Sequence, residues 1–166
     1  MKLATVAFML LASVQVAHAQ HAGHDSTQAQ KDSAFHAMQS RGQAVMGVDQ
    51  YSSAHKFEDL PNGGRIELQR DVDDSVGVRK IREHFIEIAE SIRQGDFRAP
   101  GLVHATTVPG VDVMMARRNA LRVVIGNLPR GGELRLTSED AEVVKAIHDF
   151  LDFQRREHRT GEAHQH

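Results

Sequence analysis

The 166 residues include no cysteine and no tryptophan, one tyrosine and four prolines. Without cysteine there is no disulfide framework, no thiolate metal site, no CxxCH haem attachment and no lipid-anchored N-terminal Cys. So few aromatics leave no row of stacking side chains for bases or sugars. Charge of one sign is lacking too: the formal net charge is −2, which gives no reason to expect nucleic acid or an anionic membrane as partner. HExxH, a Gly-rich phosphate loop, GxSxG and a suggestive carboxylate pair are all absent, so neither a catalytic residue nor a nucleotide cofactor is expected. A small b-type haem protein or hydrolase has no positive signature either.

Only one long apolar run exists, and it opens the chain. Met1-Lys2 is followed by a mainly apolar stretch to Ala17, and Ala17-His18-Ala19 is a small-x-small cleavage site. Residues 1–19 therefore read as a secretory signal peptide. The run is shorter than the ~20 residues a membrane span needs, so no membrane insertion is expected after cleavage. A cysteine-free export product points to the periplasm. Beyond the leader, residues 20–33 are polar and Ala/Gln/His-rich and read as a disordered arm. Its His21 and His24 are candidates for weak metal pick-up.

What is present is a duplication. Leu60-Pro61-Asn62-Gly63-Gly64 returns, 68 positions on, as Leu128-Pro129-Arg130-Gly131-Gly132. Each turn lies between two short alternating runs and leads into a long amphipathic pattern. The residues expected to form strands are 53–58, 65–69, 120–126 and 133–137; the helices are 75–94 and 139–159. A short helix at 34–46 precedes them, and 97–110, broken by Pro100, Gly101, Pro109 and Gly110, reads as a loop. The fold class is α+β, one domain over 34–162 whose repeats are 53–94 and 119–159. Two ββα units form a four-stranded antiparallel sheet with both long helices on one face, followed by a frayed tail at 163–166. The other face would be solvated, covered by the first helix, or used for a homodimer through the sheet.

The duplication also shows which residues are out of place. At the 68-residue offset His55 falls on Val123 and Phe57 on Ile125, so His55 points to the apolar face. On the last helix, at about 100° per residue, Gln154 and His158 fall within about 20° of Ile147 on the core stripe. His84 borders the stripe of the first long helix, His148 lies nearer solvent on the second, and His104 sits in the Pro/Gly loop. Imidazoles without thiolates suit copper, zinc, nickel or iron. Met46 and Met114 are weaker candidates, with a thioether that would favour Cu(I). A single histidine on an apolar face also fits a core residue bonded to a backbone carbonyl, and Gln-x-x-x-His also fits a helix cap.

The pattern Met46-Gly47-Val48-Asp49-Gln50, His55 and Phe57 resembles a family of short exported bacterial proteins of no established activity. The resemblance continues through Ile81-Arg82-x-His84, Gly95-Asp96-Phe97-x-x-Pro100, Val103-His104 and Pro109-Gly110-Val111. It ends at Ala146-Ile147-His148 and Glu157-His158-Arg159-Thr160-Gly161, and thus covers nearly all of 34–162. Some relatives carry an aspartate carbamoyltransferase label. This chain is too short for that enzyme, lacks its Ser-Thr-Arg-Thr-Arg phosphate loop and carries a leader, so the label is rejected. The resemblance implies that His55, His84, His104, His148 and His158 are pattern positions. Lys56 stands where the family has a second histidine.

These features converge on an expectation: a periplasmic transition-metal-binding protein, copper first and zinc second. Its ligands would be His55 and His158, completed by His84, His104, His148 or a methionine. The rival is a non-enzymatic interaction or dimerisation module whose histidines are structural and pH-sensitive.

Overall fold

The computed structural model describes residues 17–47 and 52–160. Residues 1–16, most of the stretch expected as a signal peptide, residues 48–51, which include the end of the first motif, and the tail from 161 lie outside the described residues. Helix α1 spans Ala17–Met46. It is longer than the short helix expected, and it runs through 20–33, where a disordered arm was expected. That stretch holds three glutamines, two alanines and a lysine, good helix formers, among weaker ones such as Gly23, Ser26 and Thr27, and it carries no apolar stripe. The chain divides into two units, Met1–Ala34 and Phe35–His166, and the second holds the sheet and every helix after α1.

Strands β1 (Ser53–Leu60) and β2 (Gly63–Arg70) form the first hairpin, followed by helix α2 (Ser75–Arg93). Strands β3 (Arg122–Leu128) and β4 (Gly131–Thr137) form the second, followed by α5 (Ala141–Glu157). Between the repeats lie α3 (Arg98–His104), α4 (Val111–Ala116) and a 3-10 turn at Arg118–Ala120. All strand pairs are antiparallel, in the order β1-β2-β4-β3.

The register carries the symmetry. Ile66 of β2 pairs with Leu134 of β4, its own counterpart at the offset of the turns. Pairing of equivalent residues across an antiparallel ladder means a local two-fold axis passes between them. The helices obey it too: α2 lies mainly on β4 and β3, and α5 on β2 and β1. Each repeat therefore covers the other's hairpin. From the turn to the helix the second repeat is two residues shorter, one in its strand and one in its loop, so along the helices the offset is 66, with Ser75 matching Ala141. On that count Ile81 matches Ile147 and Phe85 matches Leu151, and all four are buried. Gly64 makes room for Leu151 and Gly132 for Phe85, since a Cβ on either glycine would overlap the opposing side chain.

Strand alternation sends Phe57, Leu68, Leu134, Leu136 and Val123 toward the helices, and all are buried. On the opposite face Arg65 pairs with Glu67 at 2.9 Å and with Glu133 at 3.6 Å, and Lys56 with Glu58 at 3.5 Å. That face presents paired charges rather than an apolar surface of the kind an obligate dimer buries. Among the described residues no helix is long and apolar enough to cross a membrane.

The stretch expected as a loop contains α3. Pro100 falls in its first turn, where the missing N–H breaks no helical bond. Asp96 accepts from the Arg98 N–H at 3.0 Å, Phe97 is buried, and Arg41 of α1 donates from Nε to the Val103 carbonyl at 2.7 Å. The Gly95-Asp96-Phe97-x-x-Pro100 motif is thus the corner that holds α3 and its last residue, His104, against the core.

Candidate functional site

His55 points from β1 toward the helices, its ring stacked on Phe57 with centroids 5.6 Å apart. α5 covers β1, so the end of α5 meets it. There the helix closes in a Schellman arrangement: Arg159 N–H bonds the Arg156 carbonyl at 3.3 Å, and Thr160 N–H the Arg155 carbonyl at 3.2 Å. This leaves His158 as the C-cap. Its ring lies 4.7 Å from that of His55 and 5.5 Å from Phe57. His104 of α3 completes the group, its ring edge-on to His158 at 5.3 Å. The sequence brought His55 and His158 to one face; the structure adds His104 directly.

The helix offset explains why this corner differs from its counterpart. Gln154 and His158 correspond to Ile88 and Ile92 of α2, as His55 corresponds to Val123. Two pseudo-equivalent core corners therefore exist, one apolar and one carrying imidazoles and an amide. His84 corresponds to Phe150, and both line the cavity that the imidazoles border.

Burial dominates the electrostatics. His55 is lowered from 6.5 to about 4, first by burial and then by the nearby His84 and His104. His158 falls to about 2, by burial and then by His55 and His104. His84 is lowered by burial against a weaker pull from Glu87. His104 is lowered by burial against the Gln154 hydrogen bond and Glu157. All four rings are therefore neutral at pH 7.

One hydrogen bond assigns a lone pair. His104 Nε2–H donates to Gln154 Oε1 at 2.9 Å, so Nδ1 carries the lone pair. That atom is buried and unpartnered, as is Nδ1 of His158. The Glu157 carboxylate stands 3.9 Å from His104 Nδ1, beyond hydrogen-bond reach. Buried polar atoms without partners are few in folded proteins, and here two fall on rings in contact.

The remaining candidates are elsewhere. His148 Nε2–H lies 3.0 Å from the Leu60 carbonyl and 2.8 Å from that of Gly63. It ties down the first turn and is not brought to the cluster. Its counterpart is Arg82, which donates to the Leu128 carbonyl at 2.8 Å and the Gly131 carbonyl at 3.0 Å in the second turn. The helix offset, absent from the 68-residue comparison, would have revealed this role. Met114 is fully buried in α4 and does not line the cavity, so it is misplaced for a thioether ligand. Met46 ends α1, while His21 and His24 lie on its N-terminal part, outside the second unit. Among the described residues no three His, Cys, Asp or Glu side chains are grouped, as they stand, to hold a metal ion.

Replacing His148 by alanine strands two carbonyls and should cost about 1–3 kcal/mol, read as a lower denaturation midpoint, while His148→Arg should restore part of the loss. A midpoint unchanged in His148→Ala would refute the turn-clamp role.

Compared with known proteins, the chain matches no family model, no curated protein and no solved structure.

Proposed function

We propose that the protein binds a transition-metal ion in the periplasm, copper first and zinc second, through His55, His104 and His158, with His84 the nearest further imidazole. The observation that carries this reading is the buried, unpartnered Nδ1 of His104, whose lone pair is fixed by the bond from Nε2 to Gln154. Metal-ligating histidines characteristically donate their other ring N–H to a carbonyl or carboxylate, and Gln154 supplies that oxygen. Ligation needs neutral imidazole, and burial keeps these rings neutral.

Ring spacing is also favourable. With a bond of about 2.0–2.1 Å, an ion sits roughly 3.2 Å from each ring centroid, so rings meeting at a tetrahedral angle stand about 5 Å apart. The spacings here are 4.7 and 5.3 Å. Binding requires the rings to rotate until their lone pairs converge. With no thiolate in the chain, imidazole is the ligand type that chooses the metal.

The test is a titration of the metal-stripped protein with Cu(I) and Zn(II), with His21 and His24 replaced by alanine to remove weak sites. One tight equivalent is expected. His55→Ala, His104→Ala and His158→Ala should each abolish it, and His148→Ala should retain it. No tight equivalent, or equal losses in His148→Ala, would overturn the reading.

The structural, pH-sensitive module remains the second reading, favoured by the same depressed titrations. Under it the three cluster variants change stability against pH and no metal is retained.

A further inference from the structure

Beside the imidazoles the core holds a cavity of about 110 Å³. It opens to one side, at the corner where the two repeats differ, and offers concave, mostly apolar space of the kind that small ligands occupy. Its walls are mainly apolar, with Phe57, Phe85, Ile88, Phe97, Val103 and Phe150 among them. The one carboxylate in the lining, Asp96, is already held by Arg98 through Nε at 3.0 Å and Nη2 at 2.6 Å. Its polar lining is otherwise His55, His104, His158 and Gln154, which touch one another, and His84.

In that polar lining one unpartnered function has a fixed role. His104 has used its donor on Gln154, and Gln154 Oε1 has accepted it. The unused function on His104 is an acceptor, buried and without a partner. An occupant that satisfies this acceptor brings a donor, and its remaining surface must be apolar. A charged group would enter with no buried counter-charge to meet it, which is costly. The volume is somewhat below the ~150 Å³ of an engineered cavity that takes benzene, and this cavity opens to one side, so a single ring fits.

We propose that the cavity binds a small uncharged ring carrying a hydrogen-bond donor, a molecule of the phenol class, whose hydroxyl donates to Nδ1 of His104 after a small rotation of that ring. The proposal stands on the cavity and goes beyond the metal reading.

The test uses metal-stripped protein in a chelating buffer, so that its outcome is separate from the copper titration. Phenol, benzene and benzoate are titrated by calorimetry and by chemical shifts of the ring protons. Phenol should saturate at one equivalent, benzene should bind at least tenfold more weakly, and benzoate should not bind. Ile88→Phe, which fills the cavity, should abolish phenol binding. His104→Leu should bring phenol down to the affinity of benzene without changing that of benzene. Equal affinities for phenol and benzene, no binding of either, or undiminished phenol binding in Ile88→Phe would each overturn the proposal. The three-ligand series on the unsubstituted protein decides the matter even where a variant fails to fold.

Discussion

On acidification from pH 7 to pH 4.5 the metal-stripped protein is expected to lose on the order of 5 kcal/mol of stability. The unfolded chain takes up protons on histidine near pH 6.5. In the folded state His55 refuses its proton down to about pH 4 and His158 to about pH 2. Between those limits the unfolded state binds more protons than the native one, so stability rises with pH and falls as acid is added. The contribution is whole above pH 6.5 and is eroded below it. Each refusing group costs about 1.4 kcal/mol per pH unit, and two groups over roughly two units give the figure above. Whole-domain stabilities are about 5–15 kcal/mol, so the melting temperature should drop by roughly 15 °C. Asp96, held near 2 by Arg98, adds its own loss only below the usual carboxylate range. The duplication supplies the control variants: His55→Val and His158→Ile copy the apolar corner, and together they should flatten the profile between pH 7 and 4.5. A melting temperature that is flat in the parent protein, or equally steep in the double variant, would exclude this account.

Gly131→Ala should be among the most damaging single methyls in the described residues. Gly131 sits at the head of β4 beside Gln69 of β2, and an added Cβ would overlap the Leu68 carbonyl oxygen. The obstacle is backbone in the central strand pair, so no side-chain rotation relieves it. We expect a loss of about 4 kcal/mol or more, at the extreme of single substitutions, read as a collapsed denaturation midpoint or a failure to accumulate folded protein. Gly101→Ala is the control: its nearest neighbour would be the Thr106 carbonyl oxygen at 3.7 Å, and it should be close to neutral. Similar behaviour of the two would refute the strand-crowding argument.

The repeated turns made the sheet, its antiparallel sense and the placing of both long helices legible, because alternating runs and Pro-x-Gly-Gly turns are local signals. His55 and His158 were legible as intruders on apolar faces. The 68-residue offset served the strands well but failed in the helices, where a path from turn to helix two residues shorter resets the count to 66. That slip hid the correspondence of His148 with Arg82, and a residue that ties a turn passed for a ligand. Gln154 and His158 were read from the helix periodicity, but their correspondence with Ile88 and Ile92 was not. His104 was read as a loop residue because Pro100 and Gly101 look like breakers. A proline in a first helical turn breaks nothing, and only the corner at Gly95–Phe97 directs that short helix onto the core. The helical backbone through 20–33 was missed because a helix without an apolar stripe gives no periodic signal.

The crossing of the two repeats has a consequence for how the chain folds. Neither hairpin buries most of its apolar face under its own helix, because that helix lies mainly over the other hairpin. Nucleation within one repeat therefore gains little until the second repeat arrives, and the contacts that stabilise both are distant in sequence, which slows folding. The same geometry describes a swapped dimer fused into one chain: the axis between Ile66 and Leu134 is where two identical subunits would have met. In one continuous chain the two corners are independent in sequence, so one can carry valine and two isoleucines where the other carries two histidines and a glutamine.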